Sequence, residues 1–339
     1  MNRIKVGVIG VGHLGRLHAN LYRDIETAEI SGIYDSDYDK ALKIGQELNI
    51  PVFADREQLL QQADAVNIVT PTSNHYEAGL AALGNGCHVF IEKPITAEEH
   101  EAEELIRLAA EKQKVLQVGH IERFNPAILA LSDVELKPIF IESHRLASFN
   151  PRGTDVAVIL DLMIHDLDLI LSLVKSEPLQ IDASGVGVIS NTVDIANARI
   201  QFANGCVANV TASRISTKKM RKMRIFQQDA YISLDFVEGI SEIYFTADDE
   251  QKSFRDGTLA FSLGQIQTGD KQKSIKYNKL QRAGVNPLKN ELSSFIDCID
   301  NQISPMVGGK EGLAALRLAN QVLEKIDNHA NLVKERANY

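Results

Sequence analysis

Over the first 120 residues, short runs that are apolar throughout alternate with longer stretches of helical period. Runs of this kind are typical of parallel strands covered on both faces, because a strand with one solvated face alternates apolar and polar side chains. The predicted strands are Ile4–Ile9, Glu29–Tyr34, Ala65–Thr70, His88–Ile91 and Val115–Gly119, and the predicted helices are Gly15–Arg23, Lys40–Glu47, His75–Gly84 and Ala97–Lys112. Repeated strand–helix–strand units predict an α/β domain with a doubly wound parallel sheet over residues 1–120.

In residues 121–339 the predicted strands follow one another with few helices between them. A helix over Asp155–Val174 precedes most of them, and two more, about Pro287–Asn301 and Lys310–Ala330, close the chain. Asn204-Gly205 between two runs is a strong hairpin signal. The predicted strands are Pro138–Ala147, Gln180–Ile189, Ile195–Phe202, Cys206–Ser213, Arg221–Gln227, Ala230–Asp235 and Glu242–Phe245. This order predicts an α+β domain with a large, mainly antiparallel, open-faced sheet, while residues 247–285 are too polar and irregular to assign.

Composition and charge favour some classes of protein over others. A chain of 339 residues suffices for two domains, and 44% hydrophobic with 24% charged residues is ordinary for a globular protein. The 36 Lys and Arg against 45 Asp and Glu give a net charge of −9, which disfavours nucleic-acid binding over the whole surface. The three cysteines, Cys87, Cys206 and Cys298, are far apart and form no CxxC pair, which favours a reducing, cytoplasmic location.

The most apolar long run, Val156–Val174, is interrupted by three Asp residues and a His. Each Asp costs about 2.5–3.5 kcal/mol at the centre of a bilayer, so this run is not predicted to cross a membrane. The first residues run directly into strand-like sequence without the pattern of a signal peptide. We therefore expect a soluble protein.

A glycine pattern, Gly10-Val11-Gly12-His13-Leu14-Gly15, follows the first predicted strand and opens the first helix. Gly10 permits a tight turn, Gly12 lets the backbone approach a pyrophosphate, and Gly15 lets the helix pack closely with its amides facing the anion. The second strand ends at Asp35, twenty residues beyond Gly15, where an acid binds ribose hydroxyls. The combination predicts a dinucleotide site, against the alternative of a plain turn with a surface Asp.

The residues after the second strand favour NAD over NADP. A 2′-phosphate beside Asp35, Ser36 and Asp37 would meet an acid and find no neighbouring Arg. His13 and Leu14, inside the glycine pattern, are also expected to lie beside the cofactor.

Three further features carry a family resemblance. Thr70-Pro71-Thr72-Ser73-Asn74-His75 and Glu92-Lys93-Pro94 each follow a predicted strand, and Asp161 and His165 lie four apart on the predicted helix. Together they resemble the Gfo/Idh/MocA family of sugar and cyclitol oxidoreductases, and the likeness extends to Val307-Gly308-Gly309-Lys310-Glu311-Gly312.

The resemblance implies a Rossmann domain that binds NAD and an open-faced sheet that carries substrate and subunit contacts. Because one open face needs cover, we expect a homodimer or homotetramer. The resemblance also implies that Lys93, Asp161 and His165 lie near the reacting hydroxyl. The residues expected near the nicotinamide or ribose are Thr70, Pro71, Thr72, His75 and Glu92, with a helix cap as the alternative role of His75.

The candidate catalytic residues differ in the evidence for them. Lys93 follows the carboxyl end of a parallel strand, where open α/β sheets bind ligands, and a Lys there can hold the oxygen that becomes the carbonyl. Histidine is the usual general base near neutral pH. We expect His165 to be the base, Lys93 to polarise the oxygen, and Asp161 to orient the substrate or the imidazole. The opposite assignment of the base, to Lys93, stays open.

The predicted helix that carries Asp161 has one polar notch. At about 100° per residue, Asp161, His165, Asp168 and Ser172 share a stripe about 60° wide on an otherwise apolar helix. Such a notch must be satisfied internally or line a cavity. The cavity interpretation puts Asp161 and His165 at the substrate, and the alternative is a solvated helix face.

Two other segments are candidates for substrate binding. Gly119-His120-Ile121-Glu122-Arg123-Phe124-Asn125-Pro126 is similar to a narrower branch of the family, which acts at C3 of UDP-N-acetylglucosamine or its uronic acid. Arg123 and Asn125 are candidate contacts there, although Asn125-Pro126 is equally typical of a helix start. The basic run Lys218-Lys219-Met220-Arg221-Lys222-Met223-Arg224 suits a diphosphate or, as charge runs usually do, faces solvent. No cluster has the spacing of a metal site.

The sequence therefore predicts an NAD-dependent oxidoreductase that oxidises a secondary ring hydroxyl of a sugar, first of all C3 of a UDP-linked N-acetylhexosamine. Two alternatives remain open. One is an inositol or free-sugar dehydrogenase on the same scaffold. The other is a non-catalytic NAD-binding sensor, which would keep the glycines and Asp35 but would need neither Lys93 nor His165.

Overall fold

The computed structural model describes residues 3–150, 156–247, 261–268 and 271–337. The chain divides into two compact units, which are described separately. The first comprises the chain up to Ile121 together with Asn286–Leu316, and the second comprises Glu122–Val285 and the chain from Arg317 onward. By packing alone, the segment Asn286–Leu316 thus belongs with the N-terminal part of the chain. The functional division at residue 120 stays a prediction.

The described elements follow the chain in an order that changes from alternating strands and helices to successive strands. The strands are β1 Ile4–Ile9, β2 Ala28–Tyr34, β3 Ala65–Ile68, β4 His88–Glu92, β5 Leu116–Gly119, β6 Phe140–Leu146, β7 Pro178–Val186, β8 Ile195–Phe202, β9 Val207–Ser213, β10 Met220–Phe226, β11 Ala230–Asp235, β12 Ile240–Ala247, β13 Phe261–Thr268 and β14 Lys271–Gln281. The helices are α1 His13–Leu21, α2 Tyr38–Leu48, α3 Arg56–Leu60, α4 His75–Gly84, α5 Glu99–Glu111, α6 Pro126–Leu129, α7 Ile164–Val174, α8 Pro287–Asn301 and α9 Gly309–Ala337. Three 3-10 turns lie at Tyr22–Asp24, Thr72–Asn74 and Ile121–Phe124, and a π-helical turn lies at Ile159–Met163.

The first unit is built on a five-stranded parallel sheet in the order β2-β1-β3-β4-β5. All residues of β3 and β5 are buried, as expected for strands covered on both faces. The five predicted strands and the Rossmann architecture are confirmed, while the short helix α3 was missed by the sequence analysis. Its sequence, Arg56–Leu60, is too short to show a helical period.

The segment after residue 286 completes the core of the first unit. Phe295 of α8 packs edge to face on Phe90 of β4, with ring centroids 5.8 Å apart. The Val118 amide of β5 donates to the Val307 carbonyl at 2.9 Å, and the Gln117 side chain donates to the Glu291 carbonyl at 3.1 Å. The sequence distance of these contacts, more than 170 residues for Gln117, explains why local pattern did not predict them.

The second unit contains a nine-stranded sheet in the order β13-β14-β12-β11-β10-β6-β9-β8-β7. Every pair is antiparallel except β6 with β9, so the prediction of a mainly antiparallel sheet is confirmed. The strands β13 and β14 lie in the stretch that the sequence left unassigned. Along β6, β8 and β11 buried and partly exposed residues alternate, so one face of the sheet carries the core.

A row of aromatic rings crosses five neighbouring strands on the other face. Neighbouring centroids are 4.9 to 5.7 Å apart, within the range for favourable ring contacts. The members, in strand order, are Phe140, Phe226, Tyr231, Tyr244 and Tyr277. The row links β6, β10, β11, β12 and β14 by side-chain contacts as well as by backbone hydrogen bonds.

A buried charge network joins the sheet to α7 inside the second unit. Arg145 of β6 is 2% exposed and contacts Asp166 of α7 at 2.6 Å and Glu122 at 2.7 Å. The Ser143 hydroxyl adds a hydrogen bond of 2.9 Å to Asp166. Burial alone lowers the pKa of Arg145, but the two carboxylates outweigh it and raise that pKa above its ordinary value. One buried guanidinium thus serves two carboxylates, and the Arg221 side chain, 3.9 Å from Glu122, adds a second positive charge.

Among the described residues no helix is long and apolar enough to cross a membrane. The run Val156–Val174 contains instead a π-helical turn followed by the 11-residue helix α7.

Removing the Arg145 charge should destabilise the second unit strongly. Arg145→Met leaves two buried carboxylates without their counter-charge, so we expect a loss of about 3–5 kcal/mol in the free energy of unfolding. Urea unfolding followed by circular dichroism measures it. Arg199→Met, on an exposed position of β8, is the matched control and should change stability by less than about 0.5 kcal/mol. Equal unfolding midpoints for the two variants would contradict the prediction.

Candidate active site

The glycine turn after β1 is shaped by contacts that leave no room for side chains. Gly10 has φ +88°, a conformation that favours glycine, and a Cβ there would lie 2.6 Å from the Val69 carbonyl oxygen. A Cβ on Gly15 would overlap the Gly10 carbonyl oxygen. Glycine at position 15 therefore allows α1 to approach the end of β1 closely, and glycine at position 10 allows the turn to lie against the residue that follows β3.

The space in front of this turn fits a dinucleotide. A Cβ on Gly12 would meet no atom within 4 Å, so its backbone is open to an approaching group. Gly12 is also the N-cap of α1, and because glycine has no side chain it provides no side-chain cap. The amides of the first helical turn are therefore available to an anion such as a pyrophosphate.

Asp35 lies at the end of β2, where the sequence predicted the acid. Its carboxylate accepts hydrogen bonds from the Val11 amide at 2.7 Å and the Asp37 amide at 3.0 Å. Lys40 of α2 contacts it at 2.7 Å. Burial raises the pKa of Asp35, but these three donors outweigh burial and hold that pKa below its usual range. Lys40 was missed by the sequence analysis, although its place one turn into the following helix is a signal that could have identified it.

The segment after β3 is tied to the segment after β4 by His75. The ring is 1% exposed, with Nδ1 2.9 Å from the Pro94 carbonyl oxygen and Nε2 3.0 Å from the Thr70 carbonyl oxygen. Burial lowers the pKa of His75, while the two carbonyls act in the opposite direction. The geometry makes His75 a link between two loops. Pro71 is exposed and Thr70 and Thr72 are half-buried at the same edge of the sheet.

Glu92, Lys93 and Pro94 lie at the carboxyl end of β4. The peptide bond between Lys93 and Pro94 is cis. Lys93 is half-buried, and its amide donates to the Glu92 carboxylate at 3.3 Å. Glu92 is 9% exposed, and its other oxygen lies 3.2 Å from Nε2 of His18, a buried residue of α1 that the sequence analysis missed.

In the second unit, the segment that carries Asp161 is not the regular α-helix that the sequence predicted. Ile159–Met163 forms a π-helical turn, and α7 begins at Ile164. The predicted start, Asp155, lies outside the described residues. The extra residue per turn changes the direction of Asp161 relative to His165, so the uniform spacing of 100° was wrong here. Such π-turns occur frequently at functional sites.

The four residues of the predicted polar notch have different surroundings. Asp161 and His165 are half-buried. Asp168 is 1% exposed and receives two hydrogen bonds from Arg123, at 2.6 and 2.9 Å. The Ser172 hydroxyl donates to the Leu169 carbonyl at 2.6 Å. Asp168 and Ser172 are therefore satisfied internally, as one of the two sequence interpretations of the notch expected.

The segment Glu122–Asn125 makes its contacts within the second unit. Arg123 forms the bidentate pair with Asp168. The Asn125 side chain accepts from the Ala127 amide at 3.0 Å as the N-cap of α6 and donates to Glu122 at 2.9 Å. Asn125 thus marks a helix start, as one of the two sequence interpretations expected, and Arg123 anchors α7.

A pocket of about 800 Å³ in the second unit brings Asp161 together with part of the basic run. Its wall includes Lys219, Arg221 and Lys222, as well as Arg214 and Phe236. Lys222 contacts Asp235 at 3.1 Å, and Arg224, outside the pocket, contacts Glu142 at 3.2 Å. Arg221 is half-exposed and 3.9 Å from Glu122, and no ion pair involves Lys219 among the described residues. Lys222 and Arg224 thus have close ion-pair partners, whereas Lys219 and Arg221, which also line the pocket, have none within 3.5 Å among the described residues.

Comparison with known proteins identifies the family. A family model described as "Oxidoreductase family, NAD-binding Rossmann fold" matches residues 4–120, and the "GFO/IDH/MocA C-terminal domain" matches residues 142–233. A UDP-N-acetylglucosamine 3-dehydrogenase of Acidithiobacillus ferrooxidans is 44% identical over 72% of this chain and 78% of its own length. A scyllo-inositol 2-dehydrogenase (NAD(+)) of Bacillus subtilis is 30% identical over 63% of this chain and 68% of its own.

The solved structures agree with these sequence matches. A structure of the Acidithiobacillus ferrooxidans enzyme superimposes with a TM-score of 0.86 and 37% identity, over 97% of this chain and 99% of that one. The resemblance inferred from the Glu-Lys-Pro and Asp/His motifs is thereby confirmed. The chain belongs to the Gfo/Idh/MocA family of oxidoreductases and carries its NAD-binding Rossmann domain at residues 4–120.

Proposed function

We propose that this protein is an NAD-dependent dehydrogenase that oxidises the C3 hydroxyl of a UDP-linked N-acetylhexosamine. The observation that carries the proposal is the pocket of the second unit, where Asp161 shares one wall with Lys219 and Arg221. A hydroxyl-binding carboxylate beside cations suits a sugar attached to a diphosphate. The 44% identity to an enzyme named for UDP-N-acetylglucosamine supports the same substrate.

The two parts of the chain bind different molecules. Residues 1–120 bind NAD, and residues 121–339 bind the substrate and the other subunits. The Gly12 backbone and the first turn of α1, with His13 and Leu14, hold the pyrophosphate, and Asp35 holds the adenosine ribose. The remaining cofactor contacts come from the loops that His75 joins, with Thr70, Pro71, Thr72 and Glu92. When bound, NAD accepts the hydride from the carbinol carbon.

The proton of the substrate hydroxyl goes to the protein. His165 takes it as the general base, because imidazole is the side chain that most often serves as a general base and this ring is only half-buried. Lys93 donates a hydrogen bond to the oxygen that becomes the carbonyl, and Asp161 orients the sugar. Arg123 and Asn125 support the substrate site through α7 and α6, since both side chains are engaged within the fold.

The open face of the second sheet supports a homodimer or homotetramer. The aromatic row from Phe140 to Tyr277 lies on that face and offers apolar area to a second copy. The three free cysteines are buried, which suits a reducing compartment, and we place the protein in the cytoplasm.

Loss of either proposed catalytic group should abolish turnover while cofactor binding persists. For Lys93→Ala and His165→Ala we expect kcat to fall by roughly 10²–10⁴-fold, the usual contribution of general acid–base catalysis. The assay follows NADH absorbance with NAD and UDP-N-acetylglucosamine, its uronic acid or myo-inositol, and NADH fluorescence gives the cofactor Kd. Lys112→Ala and His100→Ala, both exposed on or beside α5, are the controls. Tight NAD binding with no turnover of any UDP sugar by the unaltered protein would refute the proposed reaction and favour a sensor.

The cations of the pocket should determine affinity for the diphosphate. Lys219→Ala and Arg221→Ala each remove a charge-assisted contact of about 1.5–3 kcal/mol, so we expect KM for the UDP sugar to rise roughly tenfold or more. Free UDP should compete with substrate for the unaltered protein and much less for these variants. Arg224→Ala, whose partner is Glu142 outside the pocket, should leave KM unchanged. Turnover of myo-inositol alone, without inhibition by UDP, would refute the nucleotide sugar as substrate but would support the dehydrogenase reaction.

Asp35 should set the choice between NAD and NADP. In Asp35→Ser the carboxylate is gone and Lys40, now without its 2.7 Å partner, can pair with a 2′-phosphate. We expect NAD affinity to fall and the NADP-to-NAD affinity ratio to rise by about tenfold or more, as measured by cofactor titration. The double variant Asp35→Ser with Lys40→Ala should lose the NADP gain. An unchanged ratio in the single variant would mean that Asp35 does not contact the ribose.

A further inference from the structure

Four buried polar side chains form a polar network through the first unit, and this network ends at Glu92. The Tyr22 hydroxyl donates to Asn67 Oδ1 at 2.7 Å, and Asn67 Nδ2 lies 2.9 Å from His18 Nδ1. His18 Nε2 lies 3.2 Å from Glu92 Oε1. Tyr22, Asn67 and His18 are at most 1% exposed. The network thus runs from the 3-10 turn Tyr22–Asp24 through β3 and α1 to the carboxyl end of β4.

In this polar network each donor N–H or O–H group faces the next residue in the direction of Glu92. Burial raises the pKa of Tyr22 far above its ordinary value, so its hydroxyl keeps its proton and donates to the Asn67 oxygen. The Asn67 nitrogen then donates to Nδ1 of His18. With Nδ1 accepting, the ring proton lies on Nε2, the ring atom that is 3.2 Å from Glu92 Oε1. The positive end of the His18 N–H dipole therefore lies beside the Glu92 carboxylate.

The neighbouring strand β5 leaves space for the Glu92 carboxylate. A Cβ on Gly119 of β5 would lie 2.9 Å from the Glu92 carboxyl carbon. Any larger residue there would displace the carboxylate from its present place. Glu92 therefore lies between His18 and Gly119, with its remaining oxygen 3.3 Å from the Lys93 amide.

The strand order indicates which half of the cofactor Glu92 faces. Asp35 ends β2, on one side of β1 and its glycine turn, whereas β3 and β4 lie on the other side. Because the acid after β2 holds the adenosine ribose and the turn holds the pyrophosphate, the nicotinamide half extends over β3 and β4. Glu92 is the last residue of β4.

We propose that the Glu92 carboxylate, held in place by His18, makes the cofactor site prefer oxidised NAD over NADH. The nicotinamide ring is cationic when oxidised and neutral when reduced, so a fixed negative charge beside it favours the oxidised form. In a crevice of low effective dielectric constant this preference amounts to roughly tenfold or more. His18 is then a positioning residue, and its contribution acts through Glu92.

The test compares the two forms of the cofactor on the full-length protein without any sugar. NADH fluorescence gives Kd for NADH, and displacement of NADH by NAD gives Kd for NAD. In Glu92→Gln, which keeps the shape and loses the charge, we expect the ratio of Kd for NADH to Kd for NAD to fall by about tenfold. Glu111→Gln, at the exposed end of α5, should leave the ratio unchanged.

Variants of His18 separate positioning from simple stability. His18→Gln keeps a donor toward Glu92 and should retain most of the preference for NAD, whereas His18→Leu removes the donor and should lower the ratio by about threefold or more. His18→Asn, whose shorter side chain does not reach Glu92, replaces the Leu variant if that one fails to fold. Thermal unfolding reports stability separately, and a stability loss alone does not move a ratio of two affinities.

Two results would overturn the proposal. If Glu92→Gln weakens NAD and NADH by the same factor, the carboxylate has only a structural role. If Glu92→Gln lowers the ratio while His18→Leu and His18→Asn leave it unchanged, His18 does not position Glu92. Neither result depends on the identity of the sugar, so failure of the substrate proposal would be distinguishable from failure of this one.

Discussion

The close approach of α1 to the end of β1 is the constraint on which the cofactor site depends. Gly10 and Gly15 leave a carbonyl oxygen in the space that a Cβ would need, and this brings the helix amides to the edge where the parallel strands end. The strand order then assigns each neighbouring residue its part of the dinucleotide. Asp35 lies on one side of the turn, and Glu92 with Lys93 lies on the other.

In the second unit, buried ion pairs constrain the position of α7. Arg145 joins Glu122 and Asp166, and Arg123 joins Asp168, so α7 is attached at two points within one turn. A buried pair with good geometry contributes little net stability, but it strongly penalises any other arrangement of its helix. These pairs therefore fix the orientation of the segment that carries Asp161 and His165.

In both units, buried polar contacts position a neighbouring functional group. A charged or polar side chain that would otherwise be costly to bury is held by several donors or acceptors, and the held group determines where a neighbouring functional group lies. His18 and Asn67 do this for Glu92, and Arg145 does it for Asp166. His18, Asn67 and Arg145 thus support the proposed chemistry without taking part in it.

The sequence by itself determined the Rossmann domain, the glycine turn, Asp35 and the family, because these depend on local patterns of strand, turn and helix. It also predicted most strands of the second sheet, but not β13 and β14, whose polar sequence forms strands only by pairing with each other and with β12. The π-turn at Ile159–Met163 escaped prediction for a similar reason, since its residues have an ordinary helical pattern. Only the tertiary structure decided which polar residues pair. His18 with Glu92 and Arg145 with Asp166 are long-range pairs, and the free energy that selects them arises when burial removes water from both partners. The Lys40 pair with Asp35 depends on the direction in which α2 leaves β2.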